Sequence, residues 1–204
     1  MQASRTSTWN ASASNSMSPL SARPSTHQVA PLSEGSEKGA ALDEASQIRH
    51  PFTDAETARQ QWQTLLKSAR RQLCYHSPDL EPGLYDQPFL IEQLKHFLIA
   101  SPKRALLVLL QDSRAALAAH HGLLALADRL PSRLTIRRLN PHYPTLSQGF
   151  WLADQHSVLI RPKSDDLRGY FCPHNASLAK QTHEAFAQAW QISVTDLNLR
   201  SLLL

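Results

Sequence analysis

The stretch SQGFWLADQHSVLI, residues 147–160, holds two short apolar runs around a polar turn that carries one acid, Asp154. Only that tight turn separates the runs, so they pair as an antiparallel hairpin. Upstream of it, QLCYHS (72–77), RALLVLLQ (104–111) and RLTIRRL (133–139) read as strands, each preceded by a segment with helical periodicity. Strands that alternate with helices imply right-handed crossovers and parallel pairing. RALLVLLQ is almost continuously apolar, as a strand covered on both faces must be. RLTIRRL alternates, which places it nearer an edge. The chain therefore reads as α/β: a mixed, mostly parallel sheet, helices on both faces, and an antiparallel hairpin near the C-terminal end.

Local signals set the helices. Thr53-Asp54-Ala55-Glu56 has the form of a capping box, with Thr53 as the cap. Ala58, Trp62, Leu65, Leu66 and Ala69 then form the buried face of a helix to about Arg71. Asp86 is expected to cap a second helix with Pro88 in its first turn, burying Leu90, Ile91, Leu94, Phe97 and Leu98. Asp112 is expected to cap a third, running unbroken through SRAALAAHHGLLALADRL to Pro131. RGYFCPH (168–174) reads as a further strand, and a last helix runs from about Asn175 to Gln191.

The first fifty residues differ from the rest. They are rich in Ser, Ala and Pro, without apolar periodicity. Such a segment cannot offset an ordering cost of about 1–2 kcal/mol per residue, so residues 1–51 are expected to be a disordered tail. Its basic and acidic residues balance, and the net charge of +4 belongs to the remainder. That excess is mild. It permits an anionic partner but falls short of the dense basic stripe of a dedicated nucleic-acid binder. Cys74 and Cys172 are the only cysteines and each lies in an apolar run, so both are expected to be buried reduced thiols. No apolar stretch approaches membrane-spanning length and no secretory h-region is visible, from which a cytoplasmic location is expected.

The element order and the cadence FWLAD…VLI…GYF…N…F..AW, residues 150–190, resemble one half of a phospholipase D-type domain over about residues 52–195. More closely, the chain is similar to a bacterial domain of unknown function of that shape, sometimes attached to acetyltransferases. In catalytic members of the superfamily the first hairpin strand carries His-x-Lys and, after four more residues, Asp. The His attacks phosphorus, the Lys neutralises the phosphoryl oxygens, and the Asp ends the strand. Two such motifs, from two halves or two subunits, make one site. The two-residue spacing works because alternate residues of a strand share a face.

Counting back from Asp154 puts Gly149 at the Lys position and Ser147 at the His position. Gly149 supplies no charge to stabilise a phosphoryl transition state, and Ser147 has no base beside it in sequence. The superfamily's Gly-Ser-x-Asn element is also absent, with Gly169 and Asn175 as ill-spaced remnants. The resemblance thus implies a pseudoenzyme: no catalytic residue, no cofactor, no metal, and a homodimer or a protein partner as the mode of action. No acetyl-CoA loop is present, so acetyl transfer is not expected.

Two alternatives stay open. Loops at the carboxyl ends of the strands converge on one crevice in such a sheet. Here they offer His76, Asp79, Tyr85, Asp112, Arg114, His142 and Tyr143, a mixture able to bind a small polar or phosphate-containing ligand or to do acid–base work. Asp112 as a helix cap and Asp79 as a turn former are the plainer reading of the same residues. Arg137, Arg138, Arg161 and Lys163 would form a basic rim suited to nucleic acid if the third strand lay beside the hairpin. His120 and His121 point about 100° apart on a helix and cannot share a metal, and are expected to face solvent or a groove. Asp165, Asp166 and Arg168 fall in the turn after the hairpin. Residues 196–204 form an apolar extension that folds back on the body or packs on a partner.

Overall fold

The structure, a computed structural model, describes residues 48–142, 146, 148–163 and 166–200. The tail through residue 47, and Tyr143, Ser147 and Asp165, lie outside the described residues. The elements in chain order are β1 (His50–Phe52), α1 (Ala55–Ser68), β2 (Gln72–Ser77), α2 (Pro88–Ile99), β3 (Ala105–Leu110), α3 (Arg114–Ala118) and α4 (Gly122–Arg129). They continue with β4 (Leu134–Arg138), β5 (Gly149–Ala153), β6 (Ser157–Arg161), β7 (Gly169–Cys172), α5 (Ala176–Gln191) and α6 (Leu197–Arg200).

One sheet holds all seven strands in the order β1-β7-β6-β5-β2-β3-β4. The α/β class, the mixed sheet and the hairpin are as the sequence led us to expect. The balance of the pairing is not: β2/β3 and β3/β4 are parallel, and the other four pairs are antiparallel. Two placements cause this. The hairpin β5–β6 inserts beside β2 at the sheet centre, and His50–Phe52 adds an antiparallel edge strand to β7. Pro51 is tolerated there because an edge strand needs no donor on its outer side. Gly169, opposite Phe52 in that pair, is a close-approach glycine: a Cβ there would collide with the Phe52 ring and the Ile160 carbonyl.

Strand alternation divides the core in two. Leu73, Tyr75, Trp151, Ala153, Leu159 and Phe171 share one cluster with the buried faces of α1, α2, α3 and α4. Cys74, Phe150, Leu152, Val158 and Ile160 share the other with Ala179, Phe186 and Ala189 of α5. In the first layer Tyr75 and Trp151 are cross-strand partners stacked at 3.9 Å, with Trp62 and Tyr85 edge-on to Trp151. Both cysteines are buried and free, and burial, then the charge of Asp154, pushes the Cys74 thiol up to about 12.

Several helix ends differ from the sequence signals. Asp54, not Thr53, caps α1, accepting from the Thr57 amide and hydroxyl at 2.8 Å. Asp86 does not cap α2; Gln87 holds that position, and Asp86 Oδ1 accepts from the Gly122 amide at 2.9 Å. The third helix is broken into α3 and α4 at His120, which is left-handed with φ 51°. His121 then caps α4: its Nδ1 accepts from the Leu123 amide and its Nε2 donates to the Leu80 carbonyl at 3.1 Å. His121 is fully buried, where a pair facing solvent or a groove was expected, and burial lowers its pKa, which fits a neutral ring with one donor and one acceptor.

The Ala69 amide still closes the last turn of α1 on Leu65 and Leu66, and the amides that follow it are taken by the hairpin. The Asp154 carboxylate accepts from the backbone N–H of Arg70, of Arg71 at 2.9 Å and of Gln72 at 2.7 Å. Its own amide returns a bond to the Gln72 carbonyl at 3.0 Å. This clamp docks the hairpin turn onto the start of β2, in keeping with a strand-ending acid. Asp154 sits at φ 47°, a conformation asparagine also accepts. Asp154→Ala should cost about 2–3 kcal/mol in urea unfolding and Asp154→Asn about half of that, because one acceptor oxygen survives. Equal losses for the two would contradict the clamp.

Candidate functional site

The strand-end loops do converge. The amides of Gln111 and Asp112 donate to the Pro78 carbonyl at 3.1 and 2.8 Å, tying the loop after β3 to the loop after β2. Gln111 Nε2 donates to the Leu146 carbonyl at 3.2 Å, and His76 Nδ1 donates to the Gln148 carbonyl at 2.9 Å. These bonds bring the segment before β5 to the same end of the sheet.

What fills this end is a buried ion pair. Leu80 and Glu81 are both left-handed, with φ 67° and 50°, and both are buried. Asp79 Oδ1 accepts from the Glu81 amide at 3.0 Å and fixes the turn. The turn aims the Glu81 carboxylate inward, where its Oε1 lies 2.5 Å from Arg161 NH1, with the two side chains 5% and 4% exposed. Arg161 also donates from NH2 to the Asp166 carbonyl at 2.8 Å. Gly149 is the register partner of Arg161, and a Cβ on it would stand 2.9 Å from Glu81 Oε1. The missing side chain at Gly149 is therefore the space the carboxylate occupies.

The electrostatics follow from burial. Loss of hydration raises the Glu81 carboxyl to about 6 against the opposing pull of Arg161. Burial first, and then the charge of Glu81, pushes the phenols of Tyr75 and Tyr85 well above their ordinary range. His76 is fully buried within β2, and burial lowers it to about 4, so its ring is neutral at physiological pH. As a base it is weak. Its Nε2 is enclosed with no hydrogen-bond partner among the described residues.

The residues named from sequence are dispersed. Asp112 binds Arg114 at 2.6 Å, which holds its carboxyl below the usual range, and both side chains reach solvent. His142 is exposed, its amide donating to Asn140 Oδ1. Among the described residues no hydrogen bond or ion pair joins Asp79, Asp112 and His142. Tyr85 belongs to the aromatic core, not to a crevice wall. Asp154 lies at the opposite end of the hairpin. Asn175 caps α5 through the Leu178 amide at 2.8 Å. The basic rim does not form as expected: β2 and β3 separate β4 from the hairpin, Arg161 is buried, and Arg137 stacks over Trp190 at 4.7 Å. Among the described residues no three His, Cys, Asp or Glu side chains gather as metal ligands. Glu81 and its pairing with Arg161 went unseen in the sequence. The only signal was an acid between Pro78 and Pro82, facing a glycine at a motif position.

Residues 54–202 match the family described as Domain of unknown function (DUF7931), and the chain belongs to that family. No curated protein sequence matches it. Its fold is similar to Nuc from Salmonella typhimurium, a phospholipase D family member, at TM-score 0.52 and 12% identity, covering 72% of this chain and 95% of that one. NucT from Helicobacter pylori is similar at TM-score 0.50 and 9% identity, covering 73% and 99%. TrmBL2, an archaeal chromatin protein that binds DNA, is similar at TM-score 0.53 and 10% identity, covering 78% of this chain and 61% of that one. These likenesses show a phospholipase D-like fold.

If Gly149 exists to admit Glu81, the two positions are energetically coupled. Gly149→Ala should cost about 1–3 kcal/mol by overpacking, measured by chemical denaturation. In a Glu81→Ala/Arg161→Met background, where the space is vacated and no charge is stranded, most of that cost should vanish. An unchanged cost would show that the carboxylate does not set the requirement for glycine.

Proposed function

We propose that this member of the DUF7931 family uses its phospholipase D-like fold as a non-catalytic binding module rather than as a phosphodiesterase. The observation that supports this reading is the Glu81–Arg161 pair seated against Gly149. By the resemblance, Gly149 stands where catalytic relatives of the superfamily carry the phosphate-neutralising lysine. Here the neighbouring cation is already matched by an internal carboxylate. A phosphodiester entering from the strand ends would meet that carboxylate and would have to break a buried pair, at a cost of about 3–5 kcal/mol. His76, the one histidine of β2, is neutral and enclosed. What remains is a rigid scaffold with two covered sheet faces, suited to present surfaces to a protein partner or a second copy. No described helix is long and apolar enough to cross a membrane.

The test is hydrolysis of bis(p-nitrophenyl) phosphate by the full chain. Wild type and Ser147→Ala should both stay at the uncatalysed rate. Turnover that Ser147→Ala abolishes would overturn the non-catalytic reading.

A further inference from the structure

The other end of the sheet holds a cleft. It has a volume of about 720 Å³ and lies where the end of α1, the β5–β6 turn, His174 beyond β7 and His183 of α5 meet. Its floor is Cys74, Leu152, Ala153 and Ser157, all buried. Its walls carry the exposed side chains of Lys67, Arg70 and Arg71, and the imidazoles of His156, His174 and His183. Among the described residues none of these six makes an ion pair.

One acid lines the cleft, Asp154, and its oxygens are taken by the backbone amides of Arg70, Arg71 and Gln72. The clamp therefore uses the main chain at these positions and leaves the guanidinium and ammonium groups uncommitted. Three permanent cations face one carboxylate, so the cleft carries an excess of positive charge even with every imidazole neutral. The volume falls within the range of about 300–1,000 Å³ typical of small-ligand pockets. Guanidinium forks match tetrahedral phosphate oxygens in bidentate geometry, and cations in a concave wall are worth more than on an open face.

We propose that this cleft binds a phosphate-bearing anion of up to nucleotide size. Arg70, Arg71 and Lys67 hold the phosphate, and the histidines and the Cys74–Leu152–Ala153 floor hold the remainder of the ligand. The proposal deepens the binding-module reading by naming a ligand class. It also stands apart from that reading, because diester hydrolysis at the strand ends and anion binding at the hairpin turn are separate measurements.

Titration calorimetry of the full chain with inorganic pyrophosphate should give saturable binding at one site. Arg70→Gln and Arg71→Gln should each weaken it about tenfold, the loss of one charge-assisted contact, and the double variant about a hundredfold. These substitutions leave the backbone clamp on Asp154 intact, so thermal unfolding should match wild type and loss of binding will not reflect loss of fold. Absence of saturable binding, or equal binding by the double variant, would overturn the proposal. So would single-stranded DNA that binds with a steep salt dependence where pyrophosphate does not, since that result would make the surface a nucleic-acid groove instead.

Discussion

A carboxylate removed from water must find a cation or take up a proton, and the strand-end half of this structure is arranged around that constraint. Glu81 faces Arg161 across 2.5 Å. To deliver the carboxylate, two consecutive non-glycine residues adopt the left-handed conformation. To receive it, β5 begins with a residue that has no side chain. Tyr75 and Tyr85 keep their protons beside it, and Arg161 binds the chain again at the Asp166 carbonyl. Such a pair adds little net stability over an apolar replacement of the same shape. Its effect is positional, because it determines what can occupy the end of the sheet.

The hairpin is held at both of its ends by carboxylates with opposite consequences. At the turn, Asp154 receives backbone amides and releases the side chains of Arg70 and Arg71 toward solvent. At the mouth, Glu81 receives a guanidinium and removes it from use. One end of the sheet is thereby neutralised and closed, while the other gathers uncompensated positive charge. A phospholipase D-like sheet with a carboxylate buried at its strand ends still has a concave, charged surface at the hairpin turn.

Much of the fold was legible because it rests on local periodicity. β2, β3, β4, the hairpin and α5 follow from apolar runs, alternation and a tight turn, and tertiary context had no reason to override them. The elements that were misread depend on distant partners. β1 is a three-residue strand whose only apolar member, Phe52, is buried over Gly169, so nothing local marks it as paired. The helix through His120 breaks because His121 turns inward to the Leu80 carbonyl, forty-one residues away in sequence. Gly149 was read as a position without charge, and the structure adds that the Glu81 carboxylate stands in the space beside it. Glu81 offered only its place between Pro78 and Pro82, since an inward acid is recognisable only when its cation is in view. Arg161, read as a surface base, was hidden for the same reason.

A crystal of the full chain soaked in tungstate tests the central claim most directly, since a heavy tetrahedral oxyanion reports any accessible phosphate-binding cation. The account predicts the Glu81 carboxylate on Arg161 and no tungstate between Arg161 and Gly149. Tungstate seated on Arg161, with Glu81 swung out of the strand-end site, would contradict it.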